Sequence, residues 1–161
     1  MTIQSFLPAF GSCLSNAYSL WYEISLPCFL AYSKAAAIKA SVVEADQFES
    51  GQRRVLNLGH TYGHAIEWWQ RTNNIEAPYN HGEAVAIGII QAAVKSEETG
   101  KAKQGLADKL RTDFSYCGLP TQLPCPPEEL EQAVAQDKKA EGNKLNFVFI
   151  KNIGNVCIDK I

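Results

Sequence analysis

The chain holds three histidines, His60, His64 and His81, and they fall close together. Imidazole changes charge near neutral pH and is a common zinc ligand. His60 and His64 stand four apart in VLNLGHTYGHAIEWWQR (55–71), which reads as a helix despite two glycines. On that helix Arg53, Asn57, His60, His64 and Glu67 fall at i, i+4, i+7, i+11 and i+14, Arg53 joining only if the helix starts that early. This spacing normally makes an apolar core stripe; here it carries a guanidinium, an amide, two imidazoles and a carboxylate. A solvated face favours Lys, Glu and Gln, whereas Asn and His are poorer helix formers. Gly59 and Gly63 each cost about 1 kcal/mol against Ala in a helix interior, which suggests close approach by a backbone or a ligand. The stripe is read as a functional face.

Two histidines four apart on a helix can share one metal ion. The metalloprotease version of that pattern needs Glu directly after the first His; Thr61 stands there, so that general base is missing. His81 opens the next helix, and the loop RTNNIEAPYN (71–80) before it can fold it back beside His60. Two packed helices with His60 and His81 facing would supply two ligands, where a catalytic zinc takes three and keeps one open position.

The elements that must hold these residues are mostly helical. KAAAIKASVVEAD (34–46) is rich in helix formers, and QFESGQRR (47–54) reads as a break. HGEAVAIGIIQAAVKSEETG (81–100) is a helix with Asn80 as N-cap, Glu83 completing a capping box and Gly100 as its stop. It is apolar nearly all round and belongs in the middle of a helical domain. A further helix is expected over 101–116, ended by CGLP (117–120). EELEQAVAQDKK (128–139) follows with Pro127 in its first turn. KLNFVFI (144–150) alternates like a strand, with GNVCIDKI (154–161) as its partner. Trp68 and Trp69 are read as packing residues. The expected fold is mainly α, a helical bundle-like domain with a short C-terminal β-hairpin.

Residues 1–33 stand apart as an apolar segment whose only charged side chain is Glu23, and 34–161 form the expected main domain. No Lys or Arg precedes the apolar core of 1–33, so a secretory signal is not expected. The 161 residues suit one domain, and 46% hydrophobic with 20% charged residues is globular. A net charge of −2 signals neither a nucleic-acid partner nor an anionic membrane. No apolar run reaches the ~18–20 residues of a membrane helix. Five cysteines, an odd number with no CxxC pair, argue for a reducing compartment, the cytoplasm, with each Cys a small buried hydrophobe. There is no GxGxxG or GxxxxGK[ST] phosphate loop.

The run KASVVEADQFESGQRRVLNLGHTYGHAIE (39–67), then YNHGEAVAIGI (79–89), GLPT (118–121), DKK (137–139) and KLNFVFIKNIG (144–154) resembles the C-terminal half of 3-dehydroquinate synthase over residues 34–161. The resemblance implies a metal- and NAD-dependent lyase of the shikimate pathway, which leads to chorismate and the aromatic amino acids. It converts 3-deoxy-D-arabino-heptulosonate 7-phosphate to 3-dehydroquinate with loss of phosphate. In that family a ring hydroxyl is transiently oxidised, the acidified C–H allows phosphate to leave by β-elimination, the hydride returns, the ring opens, and an intramolecular aldol closes the carbocycle. It implies His60 and His81 as ligands of a Zn or Co ion, and His64 as a substrate-pocket residue that is not a ligand. Lys39, Arg53 and Asn57 are implied as substrate contacts, Glu49 as a pocket carboxylate, and one of Lys138 and Lys139 as a further contact.

The family's NAD-binding half and its carboxylate metal ligand have no counterpart in the 161 residues, so the NAD site is expected to be missing and the metal site incomplete. The chain alone is expected to be inactive. It is read as a piece of a truncated or split enzyme, with a sugar phosphate, a separate NAD-binding half or a second copy as partners. The alternatives are a non-catalytic metal- or partner-binding remnant, or a fragment of a related sugar-phosphate cyclase. Loss of a partner domain should leave apolar surface that favours self-association.

Overall fold

The computed structural model describes residues 29–30, 32–48, 51–140 and 146–161, with only the backbone course given for 136–140. The chain divides into two units, Met1–Phe48 and Glu49–Ile161. In the first, residues 32–45 form helix α1, where Tyr32 and Ile38 are exposed. Most of segment 1–33 lies outside the described residues, as do Glu49 and residues 141–145.

The second unit is mainly helical. A 3-10 turn over Gln52–Asn57 leads into α2 (His60–Thr72), followed by α3 (His81–Glu98), α4 (Leu106–Tyr116), α5 (Pro127–Ala140), β1 (Asn146–Asn152) and β2 (Asn155–Lys160). The strands pair antiparallel, Phe147 against Asp159 and Phe149 against Cys157, with an irregularity between Ile150 and Asn152. The mainly α fold with a terminal hairpin is the one the sequence implies.

Helix α3 is the central element and packs against α2, α4 and β1. Its near-continuous apolar surface makes this possible: Ala84, Ile87, Ile90, Ala92 and Ala93 are all buried. Tyr62 and Ile66 of α2, Leu130 and Val134 of α5, and Phe147 and Phe149 of β1 join Ala84, Ile87 and Ala92 in one core. A second cluster gathers Ala93, Ala107 and Ile150. Buried Ser96 donates to the Ala92 carbonyl at 2.6 Å and accepts the Ile150 N–H at 2.9 Å, which ties β1 to α3. Tyr62 donates to Glu131 at 2.9 Å and links α2 to α5. Burial, reinforced by the Glu131 charge, pushes the Tyr62 phenol far above its ordinary range.

The ends of α3 follow local chemistry. Asn80 accepts the Glu83 N–H at 3.0 Å while Glu83 accepts the Asn80 N–H at 2.8 Å, a complete capping box. At the other end the Gly100 and Lys101 N–H groups bond back to Glu97 and Ser96, a Schellman closure around Gly100.

Four expectations change. The helix expected from 55 begins at His60, because Gly59 is left-handed (φ 79°) and residues before it form a tighter turn. Arg53 and Asn57 therefore precede the helix, and only His60, His64 and Glu67 share its face. The helix expected from 101 begins at Leu106, where Glu97 of α3 accepts the Ala107 N–H at 2.8 Å. Trp69 packs on the core and donates to Glu129, whereas Trp68 is exposed. The described cysteines divide: Cys125 is buried as expected and Cys157 half-buried, whereas Cys117, at the C-cap of α4, is exposed and is not a buried hydrophobe.

Gly59 and Gly63 are explained by a backbone rather than a ligand. A Cβ on Gly59 would come within 2.8 Å of the Ile89 nitrogen and 2.9 Å of the Val85 oxygen, and one on Gly63 within 3.3 Å of the Val85 Cα. The partner glycine is Gly88, whose Cβ would collide with the Gly59 carbonyl oxygen and approach the Gly63 nitrogen to 2.9 Å. Gly88→Ala is expected to destabilise the chain by about 3 kcal/mol, the upper end of overpacking costs. Gly82→Ala on the same helix would meet only Asn80 Oδ1 at 3.5 Å and should be neutral or stabilising by about 0.5 kcal/mol. Urea denaturation of both variants checks the pair.

Candidate functional site

The α2–α3 crossing sets the histidines. His60 is the first residue of α2, and His64 follows one turn on. His81 is the first residue of α3, and the loop does fold it back beside His60. The ring centroids of His60 and His81 are 5.4 Å apart, those of His60 and His64 5.7 Å, and those of His64 and His81 6.0 Å.

The polarity of two rings is fixed by their neighbours. His60 Nδ1 lies 3.3 Å from the Leu58 carbonyl oxygen, which can only accept. His81 Nδ1 lies 3.1 Å from Glu67 Oε1. In each neutral ring Nδ1 then carries the hydrogen and Nε2 keeps a lone pair. That is the tautomer a metal-binding imidazole needs. Ligand atoms of His64, Glu67 and His81 also lie within 4.8 Å of one another. The donor chemistry of this cluster, imidazole nitrogen with a carboxylate to hand, fits Zn²⁺ or Co²⁺.

Of the other residues singled out in the sequence, Arg53 is half-buried and Asn57 exposed, both in the turn that precedes α2. Lys39 is exposed on α1, in the first unit. Glu49 lies outside the described residues, and Lys138 and Lys139 fall in α5 where only the backbone course is described. The structure thus brings together His60, His64, Glu67 and His81.

Gln70 was missed. It is 4% exposed and grips the loop at one residue: its Oε1 accepts the Tyr79 N–H at 2.6 Å, and its Nε2 donates to the Tyr79 carbonyl at 3.4 Å. Its signal was its place on the core face of α2, at i+8 from Tyr62 and i+4 from Ile66. This clamp sits two residues before His81.

The profile of the family described as 3-dehydroquinate synthase C-terminal matches residues 27–140. The 3-dehydroquinate synthase of Geotalea uraniireducens is 46% identical over 133 residues, which are 81% of this chain and 36% of that protein. The 3-dehydroquinate synthase of Legionella pneumophila is 40% identical over 136 residues, 83% of this chain and 35% of that protein. The chain therefore spans about a third of the length of these relatives. Among solved structures, 2-epi-5-epi-valiolone synthase from Streptomyces hygroscopicus, with NAD⁺ and Zn²⁺ bound, superposes with a TM-score of 0.60 at 20% identity, over 75% of this chain and 32% of that one. A 2-deoxy-scyllo-inosose synthase complexed with carbaglucose-6-phosphate, NAD⁺ and Co²⁺ gives 0.62 at 21% identity, over 78% and 36%. At these identities the two structures speak for the fold.

Gln70→Ala should cost about 1–3 kcal/mol, since it strands the Tyr79 N–H and carbonyl. Hydrogen exchange at the Tyr79 amide should accelerate in step. Unchanged protection there would remove the clamp from this account.

Proposed function

The chain belongs to the 3-dehydroquinate synthase C-terminal family, and we propose that it is the metal- and substrate-binding helical part of an enzyme converting 3-deoxy-D-arabino-heptulosonate 7-phosphate to 3-dehydroquinate. The observation that carries this reading is the convergence of the His60 and His81 rings at 5.4 Å, each with Nδ1 against an acceptor oxygen. No described helix is long and apolar enough to cross a membrane, and the reading places the protein in the cytoplasm.

In this reading His60 and His81 hold the divalent ion. Bound there, the ion would supply Lewis-acid polarisation of a substrate hydroxyl, and NAD held outside these residues would supply the redox chemistry. His64 offers its imidazole to the substrate. Arg53 offers a planar fork suited to the substrate carboxylate, and Asn57 adds a polar contact; Lys39 is proposed as a substrate contact on the family resemblance alone. Glu49 contributes a pocket carboxylate, and one of Lys138 and Lys139 adds a cation. The relatives at 40–46% identity favour 3-dehydroquinate synthase over other sugar-phosphate cyclases.

Metal titration tests the ligand assignment. His60→Ala and His81→Ala should each weaken Zn²⁺ binding more than about 100-fold, beyond the loss typical of an outer partner, whereas His64→Ala should change it less than about threefold, a shift under 0.7 kcal/mol. Equal losses in all three variants would move the ion to the His64 side of the cluster.

The 161 residues contain no glycine-rich dinucleotide loop. The purified chain with substrate, NAD and Zn²⁺ should therefore show no turnover above background, and mixing with the NAD-binding half of a relative should restore phosphate release. Turnover by the chain alone overturns the first expectation. A mixture that stays silent favours the non-catalytic alternative.

A further inference from the structure

We infer that Glu67 is a positioning residue for His81: its carboxylate takes the Nδ1 hydrogen and thereby fixes which nitrogen of the ring, at what angle, faces the metal position. This rests on the reading of His81 as a metal ligand.

The contact is 3.1 Å from His81 Nδ1 to Glu67 Oε1. An ionised carboxylate only accepts, so the bond selects the tautomer with Nε2 unprotonated. The carboxylate nearer in sequence, Glu83, is committed to the Asn80 N–H in the capping box. Glu67 reaches the ring from α2, three residues after His64 and seven after His60, so one helix face supplies two imidazoles and the group that orients the third. The two proposed ligands are held alike by different means. His60 has a backbone carbonyl against Nδ1, and His81 has a carboxylate there. Loss of a carboxylate partner behind a ligating imidazole typically weakens metal affinity about 10–100-fold.

A merely structural role predicts something else. The side chains of His81 and Glu67 are 55% and 34% exposed, and exposed pairs contribute little to stability. Glu67→Ala should leave the thermal midpoint of the chain nearly unchanged while it changes the ring.

The experiment uses the 161-residue chain. Nitrogen-15 NMR of the metal-free protein, at a pH where the rings are neutral, should find His81 as the Nδ1–H tautomer. Glu67→Ala should convert it largely to Nε2–H, and Glu67→Gln, which still offers an acceptor oxygen, should retain Nδ1–H. Co²⁺ affinity by chelator competition should fall about 10–100-fold in Glu67→Ala and less in Glu67→Gln. The inference is overturned if wild-type His81 is the Nε2–H tautomer, or if Glu67→Ala leaves the tautomer unchanged. Loss of Co²⁺ affinity with an unchanged tautomer would make Glu67 a direct ligand, which also overturns it. His81→Ala with undiminished Co²⁺ affinity would remove the metal reading, while the tautomer still decides whether Glu67 sets the ring.

Discussion

The arrangement of the second unit depends on how closely two helix backbones approach. Gly59 and Gly88 have no room for a Cβ against the facing backbone, and Gly63 packs tightly on Val85. Protein interiors are close-packed, and a single methyl group at such a crossing must displace backbone rather than a flexible side chain. The crossing lies within a turn of His60 and His64. A wider separation of the helices would carry His81 away from both, whatever the loop did. The glycines thus cost helix propensity locally and return a fixed spacing between imidazoles on different elements.

The same constraint explains what was legible in the sequence. The ends of α3 were readable because Asn80, Glu83 and Gly100 act on their own neighbours. The apolar circumference of α3 placed it at the centre, and α3 is there. The start of α2 was not readable. His60 opens the helix because Gly59 adopts a left-handed conformation against Val85 and Ile89, residues distant in sequence. The start of α4 depends likewise on Glu97 of α3. Local propensity speaks for the interior of a helix, and tertiary contact often decides where it begins.

The candidate site divides along the same line. Histidine spacing and the motifs around it pointed to His60, His64 and His81, and the structure brings those rings within 6.0 Å of one another. The supporting residues were harder to see. Gly88 stands in an apolar run where a small residue looks like filler, and its role exists only in the crossing. Gln70 looked like an ordinary polar helix residue, although its position on the core face of α2 meant that its amide had to be satisfied internally. Arg53 and Asn57 were placed on one helical stripe with the histidines, yet Gly59 interrupts that stripe.

Three successive residues before and at the start of α3 are each held by a separate polar device. Gln70 holds the backbone of Tyr79 on both its donor and its acceptor. Asn80 exchanges hydrogen bonds with Glu83. The side chain of His81 meets Glu67. Gln70 and Glu67 stand three apart, so neighbouring positions on α2 fix both the end of the loop and the ring that follows it. The rest of the loop, from Asn73 through Pro78, is exposed and contributes nothing to the core clusters. The chain is recaptured at Tyr79, two residues before His81. The last residues of the loop belong, energetically, to the helix they face rather than to the loop, and the His81 ring is placed by α2.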